Sequence, residues 1–243
     1  MSDCCKSGFA WGGKPEGSET KIAGINSYVT GTSKKAAILI VHDIFGWTFT
    51  NTRVIADHFA KEADATVYLA DFFGGEVITV DMMTNPKKQA AFDVAAFLQR
   101  NGKEPRWPEI KGVAEALKKE YPKVGAMGYC YGGWAVFRLG AGTGLVDVIS
   151  TAHPSMLEKS EIDAVKVPVQ ILAPENDERY LPELKEYSNK VIPTLGVPYE
   201  YVYFPGVNHG FAIRGDQSNK LQKESLERAK NSASKFFAQF LHD

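Results

Sequence analysis

The chain has 243 residues, 44% hydrophobic and 23% charged, with a formal net charge of −1. Those proportions describe a soluble globular protein long enough to bury a core of its own. With no basic run or stripe, they exclude the electrostatic footprint of nucleic-acid binding.

The longest apolar run, residues 36–41, is the size of a strand and far too short to span a bilayer, so no membrane segment is expected. The opening MSDCCKSGFAWGG lacks the apolar core of a secretory signal. The three cysteines, Cys4, Cys5 and Cys130, are an odd set with two adjacent members, which is no disulfide framework and suits a reducing cytoplasm.

In chain order, residues 1–20 are rich in Gly, Ser and charge and read as an irregular arm. KAAILIVHD (35–43) is a near-continuous apolar run, the pattern of a strand covered on both faces. Residues 50–63 follow with Val54, Ile55, Phe59 and Ala63 at helical spacing, and 65–73 form a second buried strand. Residues 85–102 read as one helix with Asn85 as cap, Pro86 at its first position and Gly102 after its end. A further helix spans 107–122 between prolines.

Next come a strand at 123–130 and a helix at 131–140, then strands at 146–154 and 167–177. A helix at 182–196, a last strand at 199–206 and a long helix at 218–241 complete the chain. This alternation predicts one α/β domain over 1–243, with a mostly parallel central sheet and helices on both faces.

The segment Gly128-Tyr129-Cys130-Tyr131-Gly132-Gly133 sits where that strand turns into its helix. The form G-x-C-x-G-G matches the nucleophile elbow of α/β hydrolases with Cys in place of Ser. A strained turn of this kind needs small neighbours on either side, and a helix N-terminus aimed at the thiol favours its ionised form and a developing oxyanion. An inert, buried cysteine would occupy the same corner.

His209 follows the last strand, where the triad histidine of this architecture sits; a surface-loop histidine is the plainer alternative. His153, also at a strand end, is the second candidate for the base, and reads first as a pocket or structural residue. His58 and His242 read as solvated, and His42 as packing at the end of its strand. Asp177 lies between Cys130 and His209 in sequence, just past a strand end, with Glu175 as its rival. A strand-end Asp also serves as a plain turn residue. The order Cys130, Asp177, His209 is that of nucleophile, acid and histidine in α/β hydrolases. Tyr129, Tyr131, Trp47, Phe72 and Phe211 flank these positions and could line an apolar pocket or simply fill the core.

VHDIFGW (41–47), GYCYGG (128–133), ENDERYLPE (175–183) and NHGFAIRG (208–215) together resemble the dienelactone hydrolase (carboxymethylenebutenolidase) family over nearly the whole chain, in its fungal and eukaryotic branch. The resemblance implies the α/β-hydrolase fold, with Cys130 as nucleophile, His209 as base and Asp177 as its orienter. It also implies an oxyanion hole from the backbone N–H groups of Ile44 and Tyr131. The family's acidic residue after the early strand, usually glutamate, is here Asp43; the resemblance gives it a part in thiol ionisation and a resting pair with an arginine, and a turn cap is the alternative. Arg214 is implied as a carboxylate-binding residue. The family's second such arginine has no evident counterpart; Arg53 and Arg138 are the candidates, and each reads first as a helix-face residue.

The activity implied is hydrolysis of an enol-lactone or activated ester, a small-molecule substrate, through an acyl-enzyme and without cofactor or metal. A general carboxylesterase or thioesterase, and a cysteine redox sensor or ligand-binding module without turnover, stand as alternatives. Cys4 and Cys5 have no third ligand nearby in sequence to complete a metal site.

Overall fold

The computed structural model describes residues 13–242. Eight strands form one sheet in the order β1-β2-β4-β3-β5-β6-β7-β8: Ser18–Ile22, Ile25–Thr30, Thr66–Ala70, Ala36–Val41, Lys123–Tyr129, Val148–Ala152, Val169–Asn176 and Tyr199–Asn208. β3 to β8 pair in parallel, while β1 and β2 add an antiparallel edge through the β1–β2 and β2–β4 pairs.

β3 shows why its sequence has no polar alternation. Ala37, Leu39 and Val41 pack on one face with Ile110, Val113 and Leu117 of α5 (Lys103–Glu120) and Trp134 of α6 (Gly132–Leu139). Ala36, Ile38 and Ile40 pack on the other with Ile55 and Phe59 of α1 (Thr50–Glu62) and Ala233 and Phe237 of α10 (Lys220–Leu241). All six β3 side chains are buried because helices cover both faces. Gly125 of β5 leaves room for this packing: a Cβ there would stand 2.8 Å from the Phe237 ring.

The structure corrects three boundaries. The arm expected over 1–20 gives way to strand at Ser18, and β1 turns into β2 through Ala23 and Gly24, at φ +50° and +80°. That two-residue turn with both φ positive has no Asn-Gly or Asp-Gly signature here, so the hairpin carries no sequence signal. The helix expected over 85–102 is two: α3 (Pro86–Ala91) and α4 (Val94–Asn101). Asn85 caps α3 as expected, but Asp93 draws the Ala96 N–H to its own carboxylate at 2.9 Å and starts a new helix. α5 begins at Lys103, with Pro108 inside it at an exposed position.

The short helices α2 (Val80–Thr84), α7 (Lys159–Asp163) and α9 (Phe211–Arg214) were also not foreseen, and α8 (Pro182–Val191) ends in a 3-10 turn. Cys4 and Cys5 lie outside the described residues. Among the described residues no helix is long and apolar enough to cross a membrane.

Candidate active site

Cys130 occupies the turn between β5 and α6 with φ +48°, a left-handed conformation that costs a side-chain-bearing residue roughly 1–3 kcal/mol. The surroundings hold it there. Its N–H donates to the Ala152 carbonyl at 3.2 Å, and its own carbonyl accepts from Gly133 at 3.0 Å and Ser155 at 2.8 Å. A Cβ on Gly132 would stand 2.1 Å from the Val41 carbonyl oxygen, and one on Gly128 2.5 Å from that of Gly132. The glycines flanking the cysteine are therefore demanded by how closely α6 approaches β3 and β5.

β7 and β8 bring the other two expected residues together. Asp177 follows β7, His209 follows β8, and the His209 N–H donates to the Asn176 carbonyl at 3.0 Å. His209 Nδ1 lies 2.9 and 3.0 Å from the two Asp177 oxygens. Asp177 Oδ1 also accepts from the backbone of Arg179 at 2.7 Å and Tyr180 at 2.9 Å, which fixes the carboxylate. The second imidazole nitrogen, Nε2, is buried with no hydrogen-bond partner among the described residues.

Burial opposes a charge on His209, but Cys130 and Asp177 outweigh it and raise its proton affinity to a pKa of about 10. Burial likewise opposes the charge on Asp177, and the bonds from His209 and the two backbone amides hold its pKa below the usual value. The rival acid Glu175 is exposed and accepts instead from the Gly206 N–H at 2.7 Å.

His153 is fully buried, with its ring edge-on to His209 at 4.8 Å and neither nitrogen hydrogen-bonded among the described residues. Burial first, then the charges on His209 and Arg214, push it well below the usual imidazole range. His42 packs at the end of β3, as expected: its Nδ1 donates to the Asp43 carbonyl at 2.8 Å and its Nε2 accepts from Phe72 at 3.2 Å. His58 is exposed beside Glu62, whereas His242, expected to be solvated, is half-buried with Nε2 2.8 Å from the Ala63 carbonyl.

Asp43 makes two of the contacts weighed for it, the turn cap and a pair with an arginine. Oδ1 accepts from the Phe45 N–H at 3.0 Å, closing the turn, and Oδ2 lies 3.1 Å from Arg214 Nε. Arg214 is buried over the Phe45 ring and lines a cavity of about 400 Å³ on the His209 side. Cys130 lines a different cavity of about 320 Å³, together with Ile44, Tyr131 and Ser155. The N–H groups of Ile44 and Tyr131 donate to no backbone carbonyl in the turns and loops of the described residues.

Arg53 pairs with Glu19, and Arg138 with Glu161 and Glu104, and neither lines the cavity at Cys130. Of the aromatic residues singled out in the sequence, Tyr131 reaches the Cys130 cavity; Phe73 does so rather than its neighbour Phe72. Sequence reasoning missed Ser155, whose hydroxyl lies 3.5 Å from the thiol sulfur, and Arg179 at the cavity rim. The only signals for them were proximity to His153 and to Asp177. Among the described residues no cluster of three or more His, Cys, Asp or Glu could hold a metal ion.

A mostly parallel eight-stranded sheet, a cysteine on the sharp strand-to-helix turn and a histidine–aspartate pair after the last two strands define an α/β-hydrolase fold. The dienelactone hydrolase family model matches residues 25–241, and the chain belongs to that family of hydrolases. It is 31% identical to hydrolase pyvD of Aspergillus violaceofuscus, over 99% of this chain and 97% of that one. It is 30% identical to hydrolase tropI of Talaromyces stipitatus, over 99% and 96%. The crystal structure of dienelactone hydrolase from Anabaena variabilis has the same fold, with a TM-score of 0.59 at 15% identity over 94% of this chain and 99% of that one.

Proposed function

We propose that the protein hydrolyses an enol-lactone or activated ester with Cys130 as nucleophile. The observation that carries this reading is the buried Asp177–His209 pair, whose imidazole feels the charge of Cys130 on its strained turn. The raised proton affinity of His209 supports it as the group that takes the thiol proton.

The sulfur forms a bond to the substrate carbonyl carbon, and the C=O electron pair moves onto oxygen. The backbone N–H groups of Ile44 and Tyr131 are the donors for that oxyanion. Collapse breaks the acyl C–O bond and releases an alkoxide or enolate, which takes the proton back from His209. Water then attacks the thioester while His209 removes its proton, the C–S bond breaks, and the acid leaves. An enolate is a good leaving group, so a weak acid such as imidazolium suffices, and the polarisable sulfur suits activated acyl groups. Asp177 holds the imidazole in the required orientation and tautomer.

Asp43 and Arg214 form a resting pair beside this machinery. Cys130 must remain a free thiol, which suits the reducing cytoplasm. A carboxylesterase or thioesterase would use the same steps and differ in substrate alone.

The test follows ring opening of an uncharged enol-lactone and release of nitrophenol from an aryl ester, with wild type beside Cys130→Ala. Wild-type turnover that falls about 10³-fold or more in the variant is the expected result. Full activity of the variant on every substrate that the wild type cleaves would end the proposal.

A further inference from the structure

The walls of the cavity at Cys130 point to the kind of acyl group it receives. α4 supplies Val94, Phe97 and Leu98, and Phe73 and Met156 close the sides. The Phe73 ring meets Phe97 and Tyr131 edge-to-face, each at 5.0 Å, so the aromatic wall is braced rather than loose. The polar groups are confined to two places. Cys130 and Ser155 are buried at one end, and Glu178 and Arg179, of opposite charge and both exposed, stand at the rim. Arg214, the cation expected from the sequence to meet a substrate carboxylate, lines the other cavity and is bound to Asp43.

An acyl group entering from the rim would thus bring its carbonyl to the thiol and its remainder against apolar walls. A carboxylate on that remainder would lose its hydration against the buried rings of Phe73 and Phe97, a costly placement for a charge. At about 320 Å³ the cavity lies at the small end of ligand pockets, which suits a small acyl group such as one ring or a short branched chain.

We propose that this cavity is the acyl pocket of the site and takes an uncharged, apolar acyl group, a single aromatic ring or short branched chain, rather than a carboxylate-bearing one. The proposal rests on the reading of Cys130 as nucleophile.

Three 4-nitrophenyl esters with one leaving group test it: acetyl, phenylacetyl and the anionic hemisuccinyl, each normalised to its rate with hydroxide. The wild type is expected to favour phenylacetyl over acetyl in kcat/KM by about tenfold or more, and to place hemisuccinyl below acetyl. Leu98 is 43% exposed, so Leu98→Asp leaves the core intact, and it is expected to collapse the phenylacetyl-to-acetyl ratio. A flat series, a preference for hemisuccinyl, or an unchanged ratio in the variant would overturn the proposal.

Saturation-transfer NMR with phenylacetamide and succinamate separates this failure from failure of the catalytic reading, because it needs no turnover. Binding of phenylacetamide alone, weakened in Leu98→Asp, supports the pocket even if no ester is cleaved. No phenylacetamide binding to the wild type, or equal binding of succinamate, overturns it.

Discussion

Asp177 and Glu175 stand two residues apart at the end of one strand, yet their surroundings separate them completely. Asp177 is held by two backbone N–H groups and faces His209 Nδ1, whereas Glu175 is exposed and holds the Gly206 amide. Asp177→Asn is expected to lower kcat by roughly 10³- to 10⁴-fold, because an amide no longer selects the required imidazole tautomer. Glu175→Gln is expected to stay within about threefold of wild type, as changes away from the reacting groups do. Steady-state kinetics on one aryl ester, with unfolding midpoints for each variant, checks both. Equal losses in the two variants would remove Asp177 from its proposed role.

At the scale of elements, what could be read in the sequence followed burial. The strand at β3 and the turn at Cys130 were legible because neighbouring backbone leaves no choice of residue: helices cover all six β3 side chains, and Gly128 and Gly132 admit no Cβ. Asn85 and Pro86 marked a helix start for the same kind of local reason. The β1–β2 hairpin was illegible because its turn uses Ala23 at positive φ, where the usual residues are Asn, Asp or Gly. The break before α4 was hidden because Asp93 is compatible with a helix and becomes a cap only when its side chain turns to Ala96.

The candidate triad could be traced from chain order and strand ends. The cavity walls could not, because Phe73, Phe97 and Ser155 come from separate elements that only the fold brings together. α10 is the element on which the rear of the sheet depends. Phe237 is fully buried against Gly125, and its ring meets Phe59 at 5.9 Å. Phe237→Ala is expected to cost about 3–5 kcal/mol in urea unfolding. A loss below about 1 kcal/mol would mean that this face repacks freely.

The whole molecule carries two buried histidines whose charge the fold disfavours. Burial lowers the pKa of His42 to about 4, opposed by its bond to the Asp43 carbonyl and by Asp71. Burial, with His209 and Arg214, depresses His153 as well. The unfolded chain protonates both below its ordinary imidazole pKa of about 6.5, while the native state binds neither proton, so stability falls as pH drops. His209 adds nothing on this limb, because its raised pKa keeps it protonated in the native state and the unfolded chain is protonated there too. The slope is expected to approach about 2.7 kcal/mol per pH unit between roughly pH 6 and 4.5, two protons at about 1.4 kcal/mol each. Asp177, whose folded pKa is depressed, contributes loss only at lower pH. Urea unfolding at several pH values reads this slope, and His153→Asn is expected to halve it. A flat profile over that window would contradict the burial of neutral imidazoles.

The proposed function turns on one chemical event, a bond between the Cys130 sulfur and a substrate acyl carbon. The most direct measurement is intact and peptide mass spectrometry after acid quenching of the enzyme during turnover of 4-nitrophenyl phenylacetate. The expected result is a mass increase of one phenylacetyl group on the peptide containing Cys130, absent from Cys130→Ala and accumulating in Asp177→Asn if deacylation becomes slow. Turnover of the ester by wild type with no acyl group on Cys130 at any time, and with the same rate in Cys130→Ala, would contradict the account.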